Sequence, residues 1–368
     1  MKIKSLVLLL VTITFVVSCG VISNSTNSTS GVVLKIAAGY WHSMFIKEDY
    51  SLWATGNNEF GQLGTGNEIG TNKWVKVLSD VKDISCGGSH SLALKNDGTL
   101  WATGRNDNGQ LGKGDNNNVN YWVQVLSSVK FIYCGVSHSL ALKNDGTLWA
   151  TGDNRDGQFG NGNNNSANKW IMVLSNVKDI AGGECHSLAL KEDGTLWVTG
   201  KNDYGQIGYG NNDGTYRWII ISSNVKEIGS GHYHSLVIKD DDTLWVSGNN
   251  NWGQLGNGKS ISEIIDWEFV LSNVKSVAGG GCYSLALKND GTLWGTGYNY
   301  DGELGKGDNY TSTNKWVQVL TDVKDISCGK FHSLALKIDG TLWVTGNNND
   351  GELGDGTDYN KVSWTKVF

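Results

Sequence analysis

One pattern governs this chain: a unit of 48 or 49 residues that recurs seven times. A His-Ser pair marks six of the copies, at His42, His90, His138, His186, His234 and His332, and Tyr283 holds the remaining slot. Eleven residues later comes a Leu-Trp pair, with Trp53, Trp101, Trp149, Trp197, Trp245, Trp294 and Trp343. A G-[QE]-[LIF]-G turn follows, opening at Gly61 and its six counterparts, and then a second Trp, from Trp74 to Trp364. A period of this length means a solenoid, a propeller or an array. An open stack needs altered capping copies, and none is present, so the array is expected to close into a ring.

Within one copy the pattern is that of strands. Trp74 to Leu78 alternates, Val81 to Ser85 forms a second strand, and Ser91 to Lys95 a third. Asn96-Asp97-Gly98 then supplies a hairpin turn before Thr99 to Thr103. Two copies lack the glycine, having Asp49-Tyr50 and Asp241-Asp242, and looser turns are expected there. Four antiparallel strands, seven copies and closure specify an all-β, seven-bladed β-propeller. In this phasing the segment from Trp364 to Phe368 begins a copy that 31–36 continues, so the ring is expected to close by pairing N- and C-terminal strands in one blade. The fourteen repeated Trp are expected to wedge between blades, each worth up to roughly 5 kcal/mol gross from about 200 Å² buried.

The repeated residues G-x-x-H-S-L-A-L-K-x-D-G-T-L-W-x-T-G-x-N-x-x-G-Q-L-G resemble the regulator of chromosome condensation repeat, over residues 31–368. The resemblance implies a seven-bladed propeller closed through its two termini. It also implies a range of functions: nucleotide exchange on the small GTPase Ran, inhibition of β-lactamases by a secreted bacterial relative, or general service as an interaction platform. Fold alone does not choose among them.

The N-terminus argues for export. Lys2 and Lys4 precede an apolar run from Leu6 to Val17, which is of secretory length and too short for an ordinary membrane span. Val16-Val17-Ser18-Cys19 resembles a relaxed bacterial lipobox. Residues 1–18 are therefore expected to be a signal peptide, Cys19 the lipidated residue and 19–30 a Ser/Thr/Asn-rich tether, with 31–368 as the propeller. An ordinary signal peptide or an uncleaved anchor are the alternatives. The expected place is the bacterial cell envelope, on the periplasmic side or the cell surface. Loss of residues 1–18 would take the net charge from −6 to −8, with no basic stripe, so a nucleic-acid partner is not expected. The five remaining Cys fall in two repeat slots without zinc spacing, and read as small buried thiols.

Residues present in every copy are scaffold, so the His slot is expected to serve structural hydrogen bonds. The Gly turns lack a phosphate-loop lysine, and the Asp-rich turns lack the calcium-loop pattern. No catalytic set, metal or cofactor is expected. Function is sought where copies disagree. The residues just before the His slot include Tyr40, Trp41, His232, Tyr233, Lys330 and Phe331. Those around the Gly turn include Phe60, Tyr204, Trp252, Tyr298 and Tyr300. Aromatics on loops above a rigid scaffold are the material of protein-binding hot spots. The favoured reading is a monomeric, membrane-anchored module that binds a protein partner. The alternatives are an exchange-factor-like regulator and a glycan-binding or enzyme-inhibitory propeller. Export and the absence of any long inserted loop weigh against exchange activity.

Overall fold

The computed structural model describes residues 31–308 and 311–368. The expected signal peptide, Cys19 and the tether lie outside them. The first four strands are β1 (Val33–Ala38), β2 (His42–Lys47), β3 (Leu52–Gly56) and β4 (Thr71–Leu78), hydrogen-bonded in that order into one antiparallel sheet. Six more sheets of four consecutive strands follow. The blades are thus 33–78, 81–126, 129–174, 177–222, 225–271, 274–320 and 323–366. The first strands of successive blades touch one another in a closed circuit around a central channel, and β1 meets both Val81–Cys86 and Val323–Cys328. No helix occurs among the described residues.

The ring closes, and closure brings the two ends of the chain together: the Val33 amide donates to the Gly340 carbonyl. What differs from expectation is the sheet to which the ends belong. Lys361–Lys366 pairs with Leu342–Gly346, and β1 pairs with β2, so no blade mixes the two termini. The Trp-bearing strand ends its own blade instead of starting the next. The cause is the two-residue link Ser79-Asp80, which looks like a hairpin turn but passes the chain to the neighbouring blade. Asp80 takes φ 67°, and Asn176, Asn224, Asn273 and Asp322 repeat this left-handed step, which Asn and Asp tolerate best.

The second expectation to fail concerns the two hairpins without glycine. Tyr50 and Asp242 adopt φ 58° and 62°, and their amides reach the Lys47 and Lys239 carbonyls at 2.9 Å. Gly98 makes the same bond at 3.0 Å. These turns are as tight as the rest and carry local strain instead.

Each apolar cluster lies between two blades rather than within one. Met44, Ile46, Leu52 and Leu63 of the first blade pack against Val81, Ile84, Ala93 and Trp122 of the second, and the pattern repeats around the ring. Both faces of the second strand are therefore buried, which is why Leu-Ala-Leu shows no polar alternation. The two Trp sets differ in role. The second set is the wedge: at Gly64, a Cβ would stand 2.3 Å from Trp122 Nε1, so only glycine lets the blades close. The first set is half-buried at the flank. Trp101 donates to Thr99 Oγ1 at 2.9 Å and carries Lys95 Nζ 4.4 Å above its ring.

The His slot forms a second belt. His42 Nε2 lies 2.8 Å from Ser91 Oγ in the next blade, His90 bonds Ser139, and His332 closes the circle on Ser43. Ser91 Oγ donates its one proton to the Gln62 carbonyl, so His42 must be the donor through Nε2. At the odd slot, Tyr283 reaches into the next blade, where its hydroxyl donates to the His332 carbonyl at 2.5 Å and lies 3.0 Å from Ser333 Oγ. Burial holds the imidazoles neutral, with His42 down to about 3 and His138 to about 4. The G-x-x-H spacing has its own cause: a Cβ on Gly39 would lie 2.4 Å from the His42 ring. Cys86, Cys134, Cys185, Cys282 and Cys328 are all free thiols.

Candidate functional site

Two loop types meet at one end of the channel: those joining the first and second strands, and those joining the third and fourth. Backbone bonds latch them together, Asn57 N to Trp41 O at 2.7 Å and Tyr298 N to Cys282 O at 2.9 Å, with counterparts in the other blades. Both variable positions in the sequence therefore sit on the same rim, a point that periodicity alone leaves open.

Ten of the eleven candidate side chains join in one chain of contacts. Tyr204 packs on Tyr233 with ring centres 5.3 Å apart, and Tyr233 meets His232 edge-on at 6.3 Å. His232 stacks on Tyr40 at 4.5 Å, which bridges the channel mouth from the fifth blade to the first. Trp41 continues to Phe331 at 5.7 Å, Phe331 to Tyr298 at 6.1 Å, and Tyr298 to Tyr300 and Trp252 at 4.9 Å each. Lys330 Nζ sits 5.0 to 5.2 Å from the centres of Tyr40, Trp41 and Phe331, a cation held among three rings. Phe60 stands apart, under the Arg105 guanidinium. The crescent thus covers the fourth to seventh blades and the first. The same loops in the second and third blades present Gly88, Ser89, Val136 and Ser137.

The crescent holds a polar centre completed by Glu184, which is not among the eleven candidates. The Tyr40 hydroxyl lies 3.4 Å from Glu184 Oε2 and 3.3 Å from His232 Nδ1. Burial, then the Lys330 charge, lowers His232 to about 3, so its 3.8 Å approach to Glu184 joins a neutral imidazole to a carboxylate. Burial, reinforced by Glu184, raises the Tyr40 phenol well above its usual range. Glu184 had a sequence signal: it is the one acid in the slot that Tyr40, His232 and Lys330 fill in other copies. Below this cap, Tyr133 projects into the channel with its hydroxyl 3.3 Å from Ser230 across the ring. A small cavity of about 70 Å³ is lined by Tyr40, His232 and Lys330 of the cap and by Tyr133 and Ser230.

Two buried carboxyls were also missed. Glu303 and Glu352 occupy the slot held by Gln62, Gln110, Gln158, Gln206 and Gln254. Each accepts a backbone N–H at 3.0 Å through Oε2 and leaves Oε1 without a partner. Burial raises them to about 8 and about 7. Among the described residues no group of three or more His, Cys, Asp or Glu could hold a metal ion.

Comparison with known proteins decides the family. The profile of the RCC1-like domain matches residues 123–367, about two thirds of the chain. The chain belongs to the RCC1-like domain family. Regulator of chromosome condensation (RCC1) repeats match 33–62 and 81–110, and a second profile of that repeat matches 51–94 and 97–142. Among solved structures, this RCC1-like chain is similar to human WBSCR16, with TM-score 0.77, 23% identity, and 86% of this chain and 94% of that chain covered. It is likewise similar to yeast RCC1 (Prp20) bound to Kap60, with TM-score 0.78, 20% identity and coverage of 94% and 89%. Prp20p from Saccharomyces cerevisiae, described with its binding to Gsp1p and histones, gives 0.76, 21%, 88% and 87%. No curated protein sequence matches. At these identities the solved structures speak for the fold.

Proposed function

We propose that this RCC1-like propeller is a non-catalytic interaction module that holds a protein partner on its aromatic rim, tethered in the cell envelope by a lipid on Cys19. One observation carries the reading: an unbroken crescent from Tyr204 to Trp252 on a scaffold that is otherwise repetitive. Its rings are half-exposed and mutually braced, so little rotamer entropy is lost on binding. Lys330 and Glu184 give the patch one fixed charge of each sign for register. Proteins of this fold are described in complex with Kap60 and binding Gsp1p and histones, which supports protein partners as a use for the ring. Every loop on the rim keeps the repeat length to within one residue, so nothing here favours an exchange-factor wedge.

The test is cross-linking of the tagged full chain in its native cells, with a Trp41→Ala/Phe331→Ala variant beside it. A partner captured by the parent and by Tyr359→Ala, but lost from the double variant, is the expected result. Equal capture by the double variant removes the crescent from the account. Palmitate incorporation, absent in Cys19→Ala, checks the tether, and an unlabelled cytosolic chain overturns it.

A further inference from the structure

At the end of the crescent a groove of about 570 Å³ opens between the fifth and sixth blades. Trp252 and Tyr300 wall it, with Asn251, Ser260, Ser262 and Asn314 around them. The two rings are 42% and 38% exposed and cross at 77° with centres 5.8 Å apart. The repeat itself marks this place. From the first Gly of the turn to the second Trp the count is thirteen residues in five copies, but fourteen from Gly253 to Trp267 and from Gly302 to Trp316. Residues 259–262 and 312–314, from those two lengthened segments, line the groove. The corresponding groove between the seventh and first blades is lined by Gly70, Thr71, Asn72, Asn349, Asp350 and Asp358, without an aromatic ring and with two carboxylates.

The chemistry of the lining is narrow. Aromatic faces accept the C–H face of a pyranose ring, while amide and hydroxyl side chains both donate and accept, matching the sugar's rim of hydroxyls. The volume lies within the range of small-ligand sites. Among the described lining residues Lys259 is the one ionic side chain, and it is paired with Glu268 at 2.6 Å. The side-chain amides of Asn251 and Asn314 make no hydrogen bond to another described residue; among the counterparts of Asn314, Asn72 and Asn168 are tied to Asp358 and Asn116. The walls are set in advance, with Asn250 N bonded to Ser262 O at 2.7 Å and Trp252 N to Gln254 Oε1 at 3.0 Å. We infer that the groove between the fifth and sixth blades is a binding site for a neutral saccharide, with Trp252 as its stacking platform. The site shares Trp252 and Tyr300 with the end of the crescent, and adds to them the Asn and Ser side chains between the two blades.

The experiment is titration of the purified protein with neutral tetrasaccharides (cello-, xylo-, malto- and N-acetylchito-oligomers) by calorimetry and saturation-transfer NMR. Saturable binding of at least one of them is expected. Trp252→Ala and Asn314→Ala weaken it by about tenfold, which corresponds to about 1.4 kcal/mol. Trp252→Phe restores part of the loss. Trp41→Ala, in the first blade and outside the groove lining, leaves sugar binding unchanged while weakening protein capture, so the two readings fail separately. Circular dichroism of Trp252→Ala checks that the variant is folded. No saturable binding by any of the four sugars, or binding that Trp252→Ala leaves intact, overturns the assignment.

Discussion

Nε2 of His332 lies 2.8 Å from Oγ of Ser43, joining residues 289 apart in sequence by the same His–Ser bond that forms five of the six internal joints, the sixth being Tyr283–Ser333. The seam of the ring thus uses the same chemistry as those five internal joints. Ser43→Ala leaves a buried imidazole donor unpaired and is expected to lower stability by about 1–3 kcal/mol. Ser91→Ala, at an internal joint, is expected to cost a similar amount. Urea unfolding of the two variants makes the comparison, and a seam variant that costs far less would mean the ring does not close in solution.

The Tyr283 slot offers a sharper substitution. Its hydroxyl donates to the His332 carbonyl at 2.5 Å and lies 3.0 Å from Ser333 Oγ. Tyr283→Phe removes both contacts, but Ser333 keeps the Glu303 carbonyl and the His332 carbonyl keeps the Gly329 amide, so the cost should be about 0.5–1.5 kcal/mol. Tyr283→His restores the motif of the other six copies and should be milder, despite the smaller volume. Thermal melts of the pair read the difference directly.

Stability should fall on both sides of neutrality, for opposite reasons. The belt histidines have folded values near 3, below their ordinary 6.5, so their contribution is present above pH 6.5 and is lost as pH falls toward 3. Glu303 and Glu352 are raised from 4.5 to about 8 and about 7, so the folded state binds their protons more tightly. Their contribution is present below pH 4.5 and is lost as pH rises through 7 to 8. Glu303→Gln/Glu352→Gln copies the residue of the other five blades and is expected to remove the alkaline decline. Denaturation midpoints between pH 5 and 9 test this, and parallel profiles for parent and variant would contradict it.

Tyr50 and Asp242 hold a left-handed conformation at positions where glycine serves in five copies. Tyr50→Gly and Asp242→Gly relieve strain of about 1 kcal/mol each, offset in part by the entropy of glycine in the unfolded chain. A small rise in melting temperature is expected in each. A fall in both would show that the side chains contribute more than the backbone loses.

Blade number and strand count were legible because every copy repeats the same buried residues: Leu-Ala-Leu demands two covered faces, and Gly64 demands the Trp of a neighbour. The phase of the blade was not legible, because the Ser79-Asp80 link is as short as a hairpin turn and only its left-handed Asp80 and the twist of the sheet send the chain onward. The rim residues were identifiable as departures from the repeat. Their convergence was not, since Tyr40 and His232 are 192 residues apart and meet only because the ring is narrow at its mouth. Glu303 and Glu352 were hidden for a different reason: Gln and Glu are isosteric, and burial alone separates their behaviour.

Whole blades and a seam like the other His–Ser joints make the starting point of the chain arbitrary. Val33 bonds Gly340, and Leu342 bonds the carbonyl of Phe368, so the two ends of the ring lie against the same hairpin. A short peptide bridging them, with a new opening cut at Ser127-Ser128 or Ser175-Asn176, would yield a circular permutant whose blades are all intact. Gene order and spatial order are separable in this protein, and any blade could be the first to leave the ribosome.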